Sequence, residues 1–418
     1  MKILWFSATP CGANEKLNPN HNFGGWLISL EKELIKEKNI ELHVAFYWNS
    51  NIEAFKLNNV YYHPIFRVQR SSKIKRLFNR YFKIINNDEN ELTNLINIVK
   101  TVNPDIIHVH GTESNFGLLN TKTNIPILIS IQGLLSPYYS KFFSGIAQNT
   151  IRKFENPIHK LSQNTISNVI YFFNKNAIRE RKILASSINI MGRTDWDHKV
   201  TKALAPQSNY FMGNEILRDV FYLNKWHKNT FEDTIQLITT TSDSYYKGFE
   251  TIVDAAILMI DLSIKFNWKV IGLTDKSEIV RVVKKWKNVS ITNLNIELIG
   301  VKNENEIVKL MLLSDIYIQT SHIENSPNSL CEAQLMRMPC IATFAGGTNS
   351  LITNNENGIL VQEGDPYSLV GNINHLKMNF EFAEKMAKNA YNVAKERHNK
   401  ETIRKNLMEV YNSLTRNL

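Results

Sequence analysis

The chain has 418 residues, room for two or three domains at about 150 residues each, which excludes a peptide-sized or disulfide-stapled scaffold. Hydrophobic residues make up 43% and charged residues 21%, ordinary globular proportions that exclude a disordered or collagenous chain. Lys and Arg number 49 against 39 Asp and Glu, a net charge of +10, which favours an anionic partner: nucleic acid, a membrane surface or a phosphorylated substrate.

In chain order, the opening Met1 to Phe6 has too short an apolar core for a signal peptide and is soon followed by Pro10, so it reads as a buried first strand. Short apolar runs follow at 42–46, 106–109, 127–131 and 188–191, with helical periodicity between them. A second series occupies 235–238, 268–271, 297–299, 316–318, 340–343 and 359–361. Strands alternating with helices predict an α/β chain with two parallel, doubly wound sheets. The polar stretch from Ala205 toward Asn224 lacks a clear period and reads as the linker. Beyond Pro366 the chain turns helical, and Ile403, Leu407, Val410, Tyr411 and Leu414 share one helix face. The expected division is 1–210, 211–395 and a closing helix over 396–418 that packs back on the first domain. No run approaches the roughly 18 apolar residues that span a bilayer. Cys11, Cys331 and Cys340 are odd in number without C-x-x-C spacing, so neither a disulfide framework nor a zinc site is expected and a reducing cytoplasm fits.

The most informative stretch runs from His322 to Ala333, HIENSPNSLCEA, after a predicted strand. Asn328, Ser329 and Leu330 follow Pro327 where a helix starts, so their amides and the helix dipole can hold a diphosphate. Glu332, one turn in, can accept hydrogen bonds from ribose hydroxyls, and Glu324 on the loop can reach a sugar. The order of strand, loop, two carboxylates seven residues apart, helix, Pro339 and Gly346-Gly347 resembles the E-x7-E element of family 4 glycosyltransferases.

That resemblance implies the GT-B architecture: two Rossmann-like domains facing across a cleft, with the closing helix returning to the first. It also implies retention at the anomeric carbon and no obligatory metal or cofactor. Lys247, in the segment Thr239 to Glu250, matches the family's Lys-Gly pair that supplies a cation to the leaving diphosphate, so Glu324 and Lys247 are the expected catalytic residues. The family's Arg five residues earlier is Ser242 here, which leaves one positive charge to come from elsewhere. Gly24 and Gly25 match a glycine pair beside the donor, and glycines there allow close backbone approach. Gln132 stands where many members have a His against the donor sugar; it can hydrogen-bond but cannot act as a cationic acid. The expected donor site is thus Gly24, Gly25, Gln132, Asn328, Ser329, Leu330 and Glu332.

His110 and Glu113 end a predicted strand, where ligands of open α/β sheets bind, and are expected to touch the acceptor. Arg193, after the last strand of the first half, joins them and is a candidate for the missing cation. Asp195-Trp196-Asp197 matches a metal-binding D-x-D formally, but helix capping by Asp195 is the stronger reading. Ile74, Leu77, Phe78, Tyr81, Phe82 and Ile85 line one face of a basic helix, suited either to a peripheral membrane contact or to the first sheet. No nucleic-acid-binding module accompanies the basic and aromatic stretches. The expected function is transfer of a sugar from a nucleotide diphosphate sugar to a saccharide or lipid-linked saccharide, in bacterial surface polysaccharide synthesis such as capsule or lipopolysaccharide. The expected location is the cytoplasm or the inner face of its membrane. An epimerase or hydrolase of the same fold, or a non-catalytic nucleotide-sugar-binding protein, are the competing readings.

Overall fold

Ile3 to Phe6 are completely buried, because the first strand runs through the middle of a sheet covered on both faces. The computed structural model describes residues 1–18, 25–67 and 88–416, which divide into two units. The first comprises Met1–Tyr139, Asn168–Ile216 and His398–Leu418; the second comprises Ser140–Ser167 and Leu217–Arg397.

In the first unit the strands are β1 (Lys2–Ser7), β2 (Glu41–Trp48), β3 (Phe55–Leu57), β4 (Val60–Phe66), β5 (Ile106–His110), β6 (Ile127–Ser130), β7 (Asn189–Gly192) and β8 (Asn209–Met212). They form one sheet in the order β3-β4-β2-β1-β5-β6-β7-β8. All neighbours are parallel except the β3–β4 pair. Ile3 aligns with Leu42 on one side and Ile106 on the other. Leu27, Leu30 and Leu34 of helix Gly25–Leu34 and Ile403, Leu407 and Tyr411 of helix Lys400–Thr415 share a buried cluster with Trp5 and Val44. Leu95, Val99, Phe116 and Ile183 join Leu4 and Phe6 in a second cluster. Each such side chain contributes about 1.5–3 kcal/mol by leaving water. Tyr411 also serves as a polar anchor: Trp5 Nε1 donates to its hydroxyl at 3.0 Å, and His108 Nδ1 lies 2.6 Å from it.

The second unit holds β9 (Ile235–Thr240), β10 (Phe266–Ile271), β11 (Ile296–Gly300), β12 (Ile316–Gln319), β13 (Cys340–Thr343) and β14 (Ile359–Val361). This sheet is parallel throughout, in the order β11-β10-β9-β12-β13-β14. The chain therefore winds outward from β9 in one direction and from β12 in the other. The crevice beyond the carboxyl ends of β9 and β12 is the topological switch point, where open α/β sheets bind ligands.

Three strands, β3, β4 and β8, stand outside the sequence reading. Pro64 interrupts the β4 pattern, and β8 is a short edge strand inside the stretch read as linker. The expected first domain, 1–210, also differs from the structure, since Ser140–Ser167 sides with the second unit. Phe142 packs near Tyr245 and Tyr246, with ring centroids 6.1 and 5.9 Å away, and the Asn156 amide donates to Glu278 Oε1 at 2.7 Å. Lys141 is ion-paired with Glu363. These apolar and ionic partners lie more than a hundred residues away, beyond the reach of local periodicity. Among the described residues no helix is long and apolar enough to cross a membrane. The basic helix expected around Ile74 to Ile85 lies outside the described residues, as does Gly24.

Candidate active site

The loop after β9 turns through Tyr245–Lys247 and then through Gly248, whose φ is +73°. A Cβ on Gly248 would stand 1.9 Å from the carbonyl oxygen of Thr320, so only glycine permits this approach to the end of β12. Thr320 Oγ1 closes the contact by donating to the Gly248 carbonyl at 3.0 Å. Backbone held this way delivers Lys247 to the loop after β12. There its Nζ lies 2.5 Å from Glu324 Oε1, which also accepts from Ser321 Oγ at 2.7 Å. Burial works against the ammonium, but the Glu324 charge, Tyr246 and the Glu324 hydrogen bond outweigh it and raise the Lys247 pKa above its usual value.

Glu324 is itself fixed from behind by the glycine pair. Gly346 has φ +57°, and a Cβ there would come within 2.0 Å of the Glu324 carbonyl oxygen. The same oxygen accepts from the Gly347 amide at 2.9 Å. The two glycines thus set the height of the loop bearing the carboxylate.

Helix Asn328–Leu335 starts at Pro327 without a side-chain cap. Leu330 was expected to offer its amide to a ligand, yet that amide donates to the Pro327 carbonyl at 3.0 Å, as the first turn tightens. Asn328 and Ser329 remain as the amides at the mouth of the helix; no backbone partner is found for them among the described residues. The buried Asn328 Oδ1 likewise finds no hydrogen-bond partner among those residues. Glu332, 4% exposed, is gripped by Arg218, whose Nε and Nη2 each lie 2.8 Å from one carboxylate oxygen. Arg218 was not anticipated; it sits in the stretch read as linker, 114 residues from its partner. Ser242 is exposed on the loop after β9.

Residues 223–393 match the family model of glycosyl transferases group 1. That segment holds Lys247, Glu324, Asn328, Ser329 and Glu332. The match lies wholly within the part of the chain from Leu223 to Val393. An uncharacterized glycosyltransferase of Methanocaldococcus jannaschii is 24% identical over 377 residues, covering 89% of this chain and 90% of that one. Sucrose-phosphate synthase of Thermosynechococcus elongatus has the same fold, with a TM-score of 0.72 at 13% identity and full coverage of both chains. So does HepE of Anabaena in complex with UDP and glucose, with a TM-score of 0.64 at 16% identity, covering 99% of this chain and 100% of that one. The fold is GT-B, and the enzyme is a nucleotide-sugar-dependent glycosyltransferase.

In the first unit of the glycosyltransferase, β5, β6 and β7 are adjacent, so His110, Gln132 and Arg193, at or just beyond their carboxyl ends, are brought to one edge of the sheet. His110 is 2% exposed, and neither ring nitrogen has a hydrogen-bond partner among the described residues. Its ring stands edge-on to Trp5, 4.5 Å between centroids. Burial, then His108 and Arg193, hold His110 well below the usual imidazole range, so it is neutral. The Glu113 carboxylate folds back over Gly111, whose φ is +98°, and accepts from the Gly133 amide at 3.2 Å. Burial, reinforced by the nearby Glu180 charge, raises Glu113 to about 7 against the pull of the backbone amides and Arg193.

Arg193 belongs to this unit and is 5% exposed. Its guanidinium lies 4.2 Å from the Trp26 ring centroid, and its Nε is 3.7 Å from Glu215. Gly25 opens helix Gly25–Leu34. The cap of helix Asp195–Leu204 is Thr194, whose Oγ1 accepts from the Asp197 amide at 3.1 Å, and not Asp195 as expected. Asp197 is fully buried and accepts from the Arg193 amide and the Tyr210 hydroxyl. The second carboxylate of the formal D-x-D is therefore built into the unit's interior.

Proposed function

We propose that this glycosyltransferase moves a hexose-type unit from a nucleotide diphosphate sugar to a saccharide or lipid-linked saccharide, with retention at the anomeric carbon, in bacterial surface polysaccharide synthesis. The observation that carries the donor assignment is the Lys247–Glu324 pair, 2.5 Å apart, on loops flanking the β9–β12 switch point beside an uncapped helix start.

As the sugar–phosphate bond lengthens, negative charge grows on the departing diphosphate, and fixed positive groups stabilise that charge without reorganising. Lys247 and the Asn328 and Ser329 amides supply them. Glu324 accepts hydrogen bonds from the donor sugar, and Glu332 from the ribose. Without a donor, Lys247 rests on Glu324; an arriving diphosphate competes for the ammonium and leaves the carboxylate to the sugar. The attacking hydroxyl approaches on the leaving-group face, and the leaving oxygen takes its proton, so no dedicated base and no obligatory metal are needed. In the first unit we assign His110, Glu113 and Arg193 to acceptor binding, and the family resemblance assigns Gly24, Gly25 and Gln132 to donor binding. HepE of Anabaena, solved with UDP and glucose, supports a uridine diphosphate sugar as the first donor to try. The net charge of +10 supports an anionic acceptor or a lipid surface carrying it, reached as a cytoplasmic peripheral protein.

The test is nucleotide release from UDP-, GDP- and ADP-sugars, with and without bacterial glycolipids and with and without a chelator. Acceptor-dependent release that survives chelation is expected, with the product's anomeric configuration read by NMR. Lys247→Ala and Glu324→Ala should each abolish turnover in folded protein. Release that ignores every acceptor would point to a hydrolase, and full rates in either variant would remove the donor assignment.

A further inference from the structure

Resting on the donor-site reading above, we propose that Arg218 is a positioning residue of the nucleotide site: it fixes the plane of Glu332 for the ribose hydroxyls and cancels that carboxylate's charge beside the diphosphate.

The geometry is a fork on a fork. Arg218 Nε meets Glu332 Oε1 and Nη2 meets Oε2, each at 2.8 Å, the bidentate arrangement that locks both planar groups in one orientation. The side chains are 23% and 5% exposed. The guanidinium is held in turn by Phe221, fully buried, whose ring centroid lies 4.7 Å away. Phe221 belongs to the short helix Asp219–Leu223 and to the cluster containing Leu330 and Cys331. The same apolar cluster therefore anchors both partners. Burial works against the guanidinium, and the Glu332 hydrogen bonds and charge more than compensate.

Charge explains why a carboxylate here needs such a partner. Glu332 stands four residues after Asn328, about 6 Å along the helix axis at 1.5 Å per residue. An unneutralised carboxylate at that spacing would repel the diphosphate that the Asn328 and Ser329 amides are placed to hold. A carboxylate has about four acceptor sites, and the Arg fork engages one on each oxygen. Ser242 leaves the Lys247 loop with a single cation, which makes the neutralisation of Glu332 by Arg218 matter more for an arriving diphosphate.

The experiment measures calorimetric dissociation constants for UDP, GDP and ADP. It then compares the tightest binder with its 2′-deoxy and 3′-deoxy counterparts, on the full chain and on Arg218→Met, Arg218→Lys, Glu332→Gln and the Arg218→Met/Glu332→Gln double variant. The parent is expected to prefer the ribonucleotide by about tenfold to a hundredfold, the worth of a hydrogen bond to a charged group. Arg218→Met should bring that preference to within about threefold, and Arg218→Lys, which keeps the charge without the fork, should recover overall affinity but only part of the preference. Once Glu332→Gln is present, Arg218→Met should have no further effect on the preference. A parent that does not discriminate overturns the ribose role of Glu332 itself. A discriminating parent whose preference survives in Arg218→Met overturns the positioning role alone. Should Arg218→Met fail to fold, because it strands a buried carboxylate, Arg218→Lys and the double variant decide: unchanged preference in Arg218→Lys, or retained preference in the double variant, refutes the proposal.

Discussion

Gly248→Ala tests how the Lys247 loop is held. The residue sits at φ +73°, and an added Cβ would lie 1.9 Å from the Thr320 carbonyl oxygen. A left-handed backbone costs an alanine about 1–2 kcal/mol. Moving the two backbones apart by more than 1 Å, to an ordinary contact of about 3.4 Å, adds about 1–3 kcal/mol of overpacking strain. The expected destabilisation is therefore about 2–5 kcal/mol. Because the strain is relieved by lifting the loop, the Thr320 Oγ1 bond to Gly248 and the Lys247–Glu324 pair should loosen together, and turnover should fall even where the variant remains folded. Gly371→Ala provides the opposite case. That glycine is exposed within helix Pro366–Met378, a Cβ there meets nothing within 4 Å, and alanine should stabilise by about 0.5–1 kcal/mol. Urea unfolding followed by tryptophan fluorescence gives both values, and nucleotide release gives the activities. A Gly248→Ala protein within about 1 kcal/mol of the parent and fully active would refute the steric argument.

Other outcomes follow from single groups. Tyr411→Phe leaves Trp5 Nε1 without its acceptor and removes the hydroxyl beside His108; unfolding free energy should drop by about 1–3 kcal/mol, and a change under about 0.3 kcal/mol would show that the anchor is dispensable. Glu31 is buried, with Tyr62 donating to it at 2.7 Å and Gly12 at 3.1 Å, and burial raises its pKa to about 7 despite those bonds and Lys32. A carboxyl raised in the folded state stabilises most when protonated, so its contribution is full below about pH 4.5 and is lost as pH rises to about 7. At 1.36 kcal/mol per pKa unit this comes to about 3 kcal/mol. Glu31→Gln should therefore gain on the parent by about that amount between pH 5 and pH 8 in denaturant titrations; a pH-independent difference would contradict the burial argument.

The parallel sheets were legible because buried central strands such as Ile3–Phe6 and Ile316–Ile318 are short apolar runs between helical patterns. The edge strands β3 and β8 are half solvated and have no such signature, and β4, beside β3, carries a proline. The order Glu324, Asn328, Ser329, Glu332 and Gly346-Gly347 was readable because one loop and one helix carry most of it. What joins Lys247 to Glu324 is a backbone contact between Gly248 and Thr320, and what holds Glu332 is Arg218; both span long sequence separations that no local pattern encodes. The loss of the Leu330 amide to Pro327 likewise depends on how tightly the first turn winds, which composition does not reveal. The only available sign for Arg218 was a charged residue in a stretch otherwise read as spacer.

The path of the chain sets a rule for engineering. It changes units at 139/140, 167/168, 216/217 and 397/398, so a single cut near residue 216 would strip Ser140–Ser167 from one product and His398–Leu418, with Tyr411, from the other. Swapping donor specificity between relatives by grafting therefore calls for four splice points rather than one hybrid junction, and hybrids made the simpler way should come out of the cell as inclusion bodies.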